Sequence, residues 1–206
     1  MTPELAARVA AAAALLREGG LVAYPTETYY GLGALAADAA AIARLARAKG
    51  RPDGQPLPLV AADLEQVRSV AEVGPLAAAL AGRFWPGPLT LVLPARAGLP
   101  AAVTGGGATV GIRIPGGELA RELARLAGGP IVSTSANPSG GPPPTRAAAL
   151  DPALAARLDL VLDGGDTPGG APSTVVAVEG RALRLVRAGA VPFELLDALR
   201  RAAAPI

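Results

Sequence analysis

The chain has 206 residues, a length that fits one α/β domain. It contains neither cysteine nor histidine, which excludes disulfides, thiolate and imidazole chemistry, and the usual zinc and haem sites. Its formal net charge of +2 is too small to predict nucleic-acid binding from charge alone.

Hydrophobic residues make up 51% of the chain and aromatic residues 3%, so we expect a folded core built from aliphatic side chains. The longest apolar run near the N-terminus covers residues 9–16 and is too short to span a bilayer. No basic region followed by a cleavage site marks a signal peptide. We therefore expect a soluble protein in the cytoplasm, with no membrane partner.

Helix and strand signals alternate along the chain. Thr2 followed by Pro3 predicts the start of a first helix, and Asp38 and Gly50 predict the two ends of a second. Strands are predicted at 21–24, 57–61, 89–93, 109–114, 131–132 and 158–162. Further helices are predicted from Asp63, from Pro75 to Phe84, at 117–126 and at 193–201. A polar loop covers 133–144, and a hairpin covers 173–186. This order predicts an α/β fold, a mixed twisted open sheet with helices packed on it, in one domain over residues 1–206.

The segment 25–33, Pro-Thr-Glu-Thr-Tyr-Tyr-Gly-Leu-Gly, follows the first predicted strand. Its hydroxyl groups, carboxylate and glycines suit a small polar ligand such as an amino acid. Two other interpretations remain open, a simple glycine turn and a loose dinucleotide fingerprint. The fingerprint is the weaker, because no acidic residue follows at the required offset.

Lys49 is the only lysine among 19 basic residues, and it stands two residues before Arg51 at the predicted end of a helix. Cations at this position favour the helix dipole, which is the structural interpretation. Two cations around a glycine can also wrap a triphosphate. Because lysine and arginine are not interchangeable in a fitted site, the single lysine favours the functional interpretation.

A dense polar cluster, Ser133-Thr134-Ser135-Ala136-Asn137, follows an apolar strand and contains the only asparagine of the chain. Such residues also make ordinary turns, but their concentration here favours a binding site. Arg113 lies in an otherwise apolar strand, where an unpaired charge is costly. It must meet an anion, either a ligand or a structural carboxylate. Ser173 and Arg187 are further polar candidates near the hairpin.

Together these motifs resemble those of the YrdC-like threonylcarbamoyl-AMP synthases, in the short, single-domain form of that family. The strings that carry the resemblance are PTETYYGLG at 25–33, KGRP at 49–52, FWPGPLTLVL at 84–93, GIRIP at 111–115, STSANPSG at 133–140 and STV at 173–175. The resemblance extends from about residue 10 to about residue 190. It implies a twisted open sheet around a concave, basic cleft.

The resemblance also implies a reaction, in which L-threonine, bicarbonate and ATP give threonylcarbamoyl-AMP and pyrophosphate. Magnesium is then held by the nucleotide phosphates, and the product passes to a tRNA threonylcarbamoyl-transferase complex. Lys49 and Arg51 correspond to catalytic residues. Thr26, Arg113 and Ser173 correspond to threonine-binding residues, and Lys49, Arg51, Thr109, Ser133, Ser135, Asn137, Thr145 and Arg187 to nucleotide-binding ones. Gln55 departs from the histidine, asparagine or lysine of the family.

Two alternatives stay open at this stage. A pure RNA-binding module would use the basic concave face, although the few aromatic residues argue against base stacking. A relative that handles carbamoyl-adenylate without threonine would share much of the same site. Dependence of the reaction on an amino acid separates these alternatives from the synthase.

Overall fold

The computed structural model describes residues 1–52 and 54–202. Its helices are Pro3–Arg17 (α1), Ala39–Lys49 (α2), Leu64–Val70 (α3), Pro75–Phe84 (α4), Ala101–Thr104 (α5), Glu118–Ala127 (α6), Pro152–Ala155 (α7) and Phe193–Ala202 (α8), with a 3₁₀ turn at Ala147–Ala149. Its strands are Val22–Pro25 (β1), Tyr30–Gly33 (β2), Leu59–Val60 (β3), Leu89–Pro94 (β4), Thr109–Arg113 (β5), Ile131–Val132 (β6), Thr134–Ser135 (β7), Leu160–Val161 (β8), Thr174–Glu179 (β9) and Ala182–Arg187 (β10). The predicted α/β class with mixed strands is confirmed.

The predicted helix ends have the expected chemistry. The Thr2 hydroxyl accepts a hydrogen bond from the backbone N–H of Leu5 at 3.3 Å. The Asp38 carboxylate accepts from the N–H groups of Ala40 and Ala41, both at 2.9 Å. Gly50 ends α2 in the left-handed conformation that glycine adopts most easily. This ending fixes the direction in which the chain leaves Lys49.

The strands form two sheets rather than the single open sheet that the sequence predicts. One has the order β7-β2-β1-β8, and the other has the order β10-β9-β4-β5-β3-β6. An isolated antiparallel bridge between Leu35 and Ile131 links them. The predicted hairpin of β9 and β10 is confirmed as an antiparallel pair. The division arises because the chain crosses from β6 to β7 within the polar cluster around Ser133.

Strand β2 was not predicted, because its glycines indicated a turn. It pairs antiparallel with β1, with Val22 opposite Gly33 and Tyr24 opposite Gly31. The Tyr24 ring is fully buried and lies directly over these glycines: a Cβ atom on Gly33 would be 2.9 Å from Tyr24 Cε1. The glycines therefore make room for an aromatic ring in the cross-strand neighbour, a requirement that no local pattern reveals.

The core is aliphatic, as the composition predicts. Leucine, valine, isoleucine and alanine side chains dominate two buried clusters, one of which lies where α1 and α6 pack against β1. Among the described residues, no helix is long and apolar enough to cross a membrane.

Candidate active site

A cavity of about 930 Å³ opens between the two sheets. Every site residue predicted from the sequence lines it except Thr145. These lining residues are Thr26, Lys49, Arg51, Thr109, Arg113, Ser133, Ser135, Asn137, Ser173 and Arg187. They come from segments far apart in the sequence, so the fold brings the motifs together at one place. Gln55 also lines the cavity.

Thr145 holds a neighbouring loop instead. Its carbonyl oxygen accepts hydrogen bonds from the backbone N–H of Thr167, at 2.7 Å, and from the Thr167 hydroxyl, at 3.1 Å. The loop at 163–172 is further fixed by Tyr29, whose hydroxyl donates to the carbonyl of Gly170 at 2.6 Å. Thr145 is not among the residues that line the cavity, and its backbone supports the neighbouring loop, so its contact with a nucleotide stays a prediction.

Lys49 and Arg51 reach the cavity from the end of α2. Lys49 is only 5% exposed, and its Nζ atom donates to the carbonyl oxygen and to the hydroxyl of Ser135. Arg51 donates to the carbonyl oxygens of Gln55, at 3.4 Å, and of Pro56, at 2.8 Å. Burial, and secondly the charge of Arg51, lowers the pKa of Lys49 to about 8. The ammonium group is thus held in place and still mostly charged at neutral pH.

Asn137 shows two different environments at its two amide atoms. Its Nδ2 donates to the carbonyl oxygens of Pro138, at 2.7 Å, and Gly141, at 2.8 Å, which fixes the loop. Its Oδ1 atom is buried and has no hydrogen-bond partner among the described residues. Buried polar atoms normally have a partner, so an unpaired acceptor on a residue that lines the cavity is suited to a donor group on a ligand.

Arg113 has a carboxylate partner. It lies at the end of β5 and is 8% exposed, and its Nη1 atom donates to Glu27 Oε1. The sequence left open a ligand or a structural carboxylate as the anion, and the structure supplies the carboxylate while Arg113 still lines the cavity. Glu27 was quoted in a motif but not predicted as a site residue, because its pairing with Arg113 spans 86 positions.

Thr26 uses its hydroxyl locally. The hydroxyl donates to the carbonyl oxygen of Tyr29 at 2.8 Å and accepts from the backbone N–H of Thr28 at 3.2 Å. This arrangement is a tight turn stabilised by a side chain, which places Thr26 and Thr28 on the cavity wall. The motif at 25–33 therefore builds the turn and the wall with the same residues.

Ser173 and Arg187 belong to one hydrogen-bonded network. Arg187 Nη2 donates to the carbonyl oxygen of Ser173 at 2.8 Å and to its hydroxyl at 3.0 Å. The Ser173 hydroxyl also lies 2.9 Å from that of Thr90 on β4, and Thr90 lines the cavity. Burial, and secondly the charge of Arg113, lowers the pKa of Arg187. Thr90 was missed from the sequence, although a hydroxyl within the apolar run 89–93 was a usable signal.

The charged side chains among the described lining residues are all positive. Its described lining residues include four cations, Lys49, Arg51, Arg113 and Arg187, and no aspartate or glutamate. Within the described part of the chain, no cluster of three or more histidine, cysteine, aspartate or glutamate residues could hold a metal ion. Preorganised cations and hydroxyls in a partly closed site bind anionic ligands such as phosphates and carboxylates.

Comparison with known proteins agrees with this geometry. Residues 14–189 match the family model Sua5/YciO/YrdC, described as telomere recombination. The threonylcarbamoyl-AMP synthase of Halorhodospira halophila is 43% identical over 160 residues, covering 76% of this chain and 83% of the relative. The chain belongs to the Sua5/YciO/YrdC family.

A longer relative from Pyrococcus abyssi matches this chain both in sequence and in structure. The threonylcarbamoyl-AMP synthase of that organism is 44% identical over 191 residues, covering 92% of this chain and 56% of the relative. The crystal structure of P. abyssi Sua5 complexed with L-threonine superposes with a TM-score of 0.86 at 43% identity, covering 93% of this chain and 56% of that one. The chain thus spans just over half the length of this relative.

Proposed function

We propose that this protein is an L-threonylcarbamoyladenylate synthase, which makes threonylcarbamoyl-AMP and pyrophosphate from L-threonine, bicarbonate and ATP for the modification of tRNA. The observation that carries the proposal is the cavity, with four cations and no carboxylate among its described lining residues. Its volume of about 930 Å³ is large for a small-molecule site, so it has room for a nucleotide and an amino acid together. The relatives named threonylcarbamoyl-AMP synthase support this substrate pair.

The reaction needs orientation and charge neutralisation more than a protein nucleophile. The threonine nitrogen and bicarbonate form a carbamate with loss of water, and an oxygen of the carbamate carboxylate attacks the α-phosphorus of ATP. The bond from that phosphorus to the bridging oxygen breaks, and pyrophosphate leaves with the electron pair. Lys49 and Arg51 neutralise the triphosphate at one end of the cavity. The amine proton passes to a substrate or phosphate oxygen.

The other end of the cavity suits the amino acid. Arg113 supplies a guanidinium for the threonine carboxylate, and Thr26 and Ser173 provide the nearby polar wall. Thr109, at the opposite end of β5 from Arg113, and Arg187, at the end of β10, are assigned to the nucleotide, together with Ser133, Ser135 and Asn137. The two substrates then meet across the floor formed by β4 and β5.

Magnesium fits this proposal as an ion held by the nucleotide. The described lining offers hydroxyl and carbonyl oxygens but no carboxylate, so the phosphates must supply the charged ligands. Such an ion would neutralise the charge that develops on pyrophosphate. Transfer of the product to a tRNA threonylcarbamoyl-transferase complex, a cytoplasmic location and the organisation of residues 1–206 as one domain are further parts of the proposal.

The test is incubation of the purified protein with ATP, magnesium, bicarbonate and single amino acids, with detection of the adenylate by mass. We expect threonylcarbamoyl-AMP and pyrophosphate, formed only when threonine and bicarbonate are both present. Carbamoyl phosphate in place of bicarbonate and threonine is the comparison reaction. An adenylate that forms without an amino acid would favour the carbamoyl-adenylate relative, and RNA binding without pyrophosphate release would favour the RNA-binding module.

A further inference from the structure

Glu27 contacts Arg113 from outside the cavity. The two side chains are 18% and 10% exposed, and Glu27 Oε1 accepts from Arg113 Nη1. Arg113 and the neighbours Thr26 and Thr28 line the cavity, whereas Glu27 does not. The carboxylate therefore acts on the charge and position of the guanidinium without offering itself to a ligand.

The backbone around Glu27 is shaped to admit it. A Cβ atom on Gly117 would lie 3.2 Å from the backbone nitrogen of Glu27, and one on Gly116 would lie 3.7 Å from its Cγ atom. Gly117 is also the residue that precedes the ten-residue helix α6, at whose N-terminus a carboxylate is favoured. The Oε2 atom of Glu27 is buried without a hydrogen-bond partner in the described structure. A buried carboxylate oxygen without a partner lowers the stability of the fold, so we expect Glu27 to have a functional role.

The two ends of the cavity differ in charge because of Glu27. Lys49 and Arg51 together carry two positive charges, and none of the ion pairs in the described structure involves either residue. Arg113 and the nearby Arg187, which is assigned to the nucleotide, also carry two, but the Glu27 carboxylate offsets one of them. The first end therefore suits a polyanion, and the second end suits a ligand with a single negative charge.

We propose that Glu27 is a specificity-determining residue, which sets the Arg113 end of the cavity to accept a monoanionic carboxylate and to disfavour a dianionic phosphate or sulfate. The inference rests on the proposed function, in which Arg113 takes the threonine carboxylate and Lys49 and Arg51 take the triphosphate of ATP. Without such a difference, phosphate groups would compete with the amino acid for Arg113. Glu27 touches neither substrate in this arrangement and acts through Arg113.

The experiment compares threonine binding with sulfate competition. Threonine affinity is measured by titration calorimetry in chloride and in sulfate at equal ionic strength, which gives a competition constant for sulfate. Glu27→Gln is nearly isosteric and keeps an acceptor for Arg113 but removes the charge. We expect sulfate to compete about tenfold more strongly, relative to threonine, in this variant than in the wild type, because one added unit of charge acts more on a dianion.

Two further variants separate charge from shape. Glu27→Asp keeps the charge and shortens the side chain, so we expect the wild-type ratio of sulfate to threonine affinity. Asp159→Asn likewise removes a carboxylate partner, here that of the exposed Arg44, and should leave the ratio unchanged. If Glu27→Gln does not fold, Arg187→Gln serves in its place and must shift the ratio about tenfold toward threonine.

The inference is overturned if folded Glu27→Gln keeps the wild-type ratio, or if Glu27→Asp shifts it as much as Glu27→Gln does. A wild-type protein that binds no threonine would instead overturn the proposed function, and with it the assignment of this end. A shifted ratio in Glu27→Gln with normal values in both control variants supports Glu27 as the residue that sets the charge.

Discussion

The ammonium group of Lys49 donates to both the carbonyl oxygen and the hydroxyl of Ser135, a residue 86 positions later in the chain. The backbone N–H of Ser139 donates to the carbonyl oxygen of Lys49 at 3.1 Å, which ties the same two segments a second time. The two motifs that looked separate in the sequence therefore form one structure. A change in either motif acts on both.

Substitution of Lys49 tests the triphosphate end of the cavity. Lys49→Ala removes a preorganised cation, so we expect a loss of ATP-dependent product formation of about 2–4 kcal/mol in transition-state free energy. Lys49→Arg should also lose activity, because a planar guanidinium does not fit where a compact ammonium contacts Ser135. The measurement is kcat/KM for ATP with threonine and bicarbonate saturating. Near-wild-type turnover by Lys49→Ala would remove Lys49 from the site.

ATP binding should depend on pH through Lys49. The pKa of this residue is lowered to about 8 in the free protein, and bound phosphates raise it again because they favour the ammonium form. ATP affinity should therefore be constant below about pH 7 and should fall as the pH rises above about 8, with uptake of a proton on binding. Titration calorimetry in buffers of different ionisation enthalpy measures that proton. In Lys49→Arg the dependence should be absent over the same range.

The lowered pKa of Lys49 also makes the free energy of unfolding depend on pH, and this quantity rises with pH where ATP affinity falls. The pKa of Lys49 is lower in the folded protein than its ordinary value of 10.5. Between about pH 8 and pH 10.5 the unfolded chain then binds more protons than the folded one, so this residue makes the free energy of unfolding rise with pH in that window. Urea unfolding of the wild type against Lys49→Met, without ligand, isolates this contribution. An equal pH dependence in both proteins would contradict the burial of the charge.

Asn137 has to be tested with its loop in mind. Its Nδ2 donates to the carbonyl oxygens of Pro138 and Gly141, so Asn137→Asp loses both donors and places a carboxylate beside two carbonyls. Aspartate therefore cannot make the turn contacts that asparagine makes here. We expect Asn137→Ala to lose about 1–3 kcal/mol of stability, and Asn137→Asp to lose more.

Measurements of ligand binding test whether Asn137 contacts the nucleotide as well as holding its loop. Its buried Oδ1 atom can accept only from a donor, which favours a ribose hydroxyl over an ionised phosphate oxygen. If so, wild-type protein should bind ATP more tightly than at least one of 2′-deoxy-ATP and 3′-deoxy-ATP, and Asn137→Ala should bind them alike. An unchanged preference in folded Asn137→Ala would show that Asn137 serves the loop alone.

Gly33 and Gly82 form a matched pair for stability. A Cβ atom on Gly33 would lie 2.9 Å from the buried ring of Tyr24, so Gly33→Ala should destabilise the protein by about 1–3 kcal/mol. Gly82 lies in the exposed part of α4 with nothing within 4 Å of a Cβ atom, so Gly82→Ala should stabilise by up to about 1 kcal/mol. Urea unfolding of both variants tests the packing of β1 on β2. Equal effects would mean that Tyr24 does not limit Gly33.

Local signals in the sequence were sufficient for much of the fold. The caps at Thr2 and Asp38 and the glycine at position 50 act within one helical turn, and the structure places each where the sequence predicts it. The family motifs likewise placed nearly all predicted site residues on one cavity. These features depend on residues close in the chain, or on motifs that occur together in the family.

The features that the sequence did not predict depend on contacts between residues far apart in the chain. The pairing of Glu27 with Arg113, the fit of Tyr24 against Gly33 and the division into two sheets all arise from contacts between separate segments. The position of Thr145 is set in the same way, because its carbonyl oxygen accepts hydrogen bonds from Thr167, 22 residues later. Residue types alone could not predict such backbone contacts between separate loops.

The position of the cavity between the two sheets has a consequence for stability. Lys49 and Ser135 belong to the part of the fold built on the four-stranded sheet, whereas Arg113 and Arg187 belong to the six-stranded sheet. A molecule that contacts both groups adds a cross-link between the two sheets, which already share a hydrophobic core. Its binding free energy then resists unfolding of both halves at once, so substrates should raise the melting temperature most when both are present. Occupancy of the cavity therefore adds to the cohesion of the two sheets.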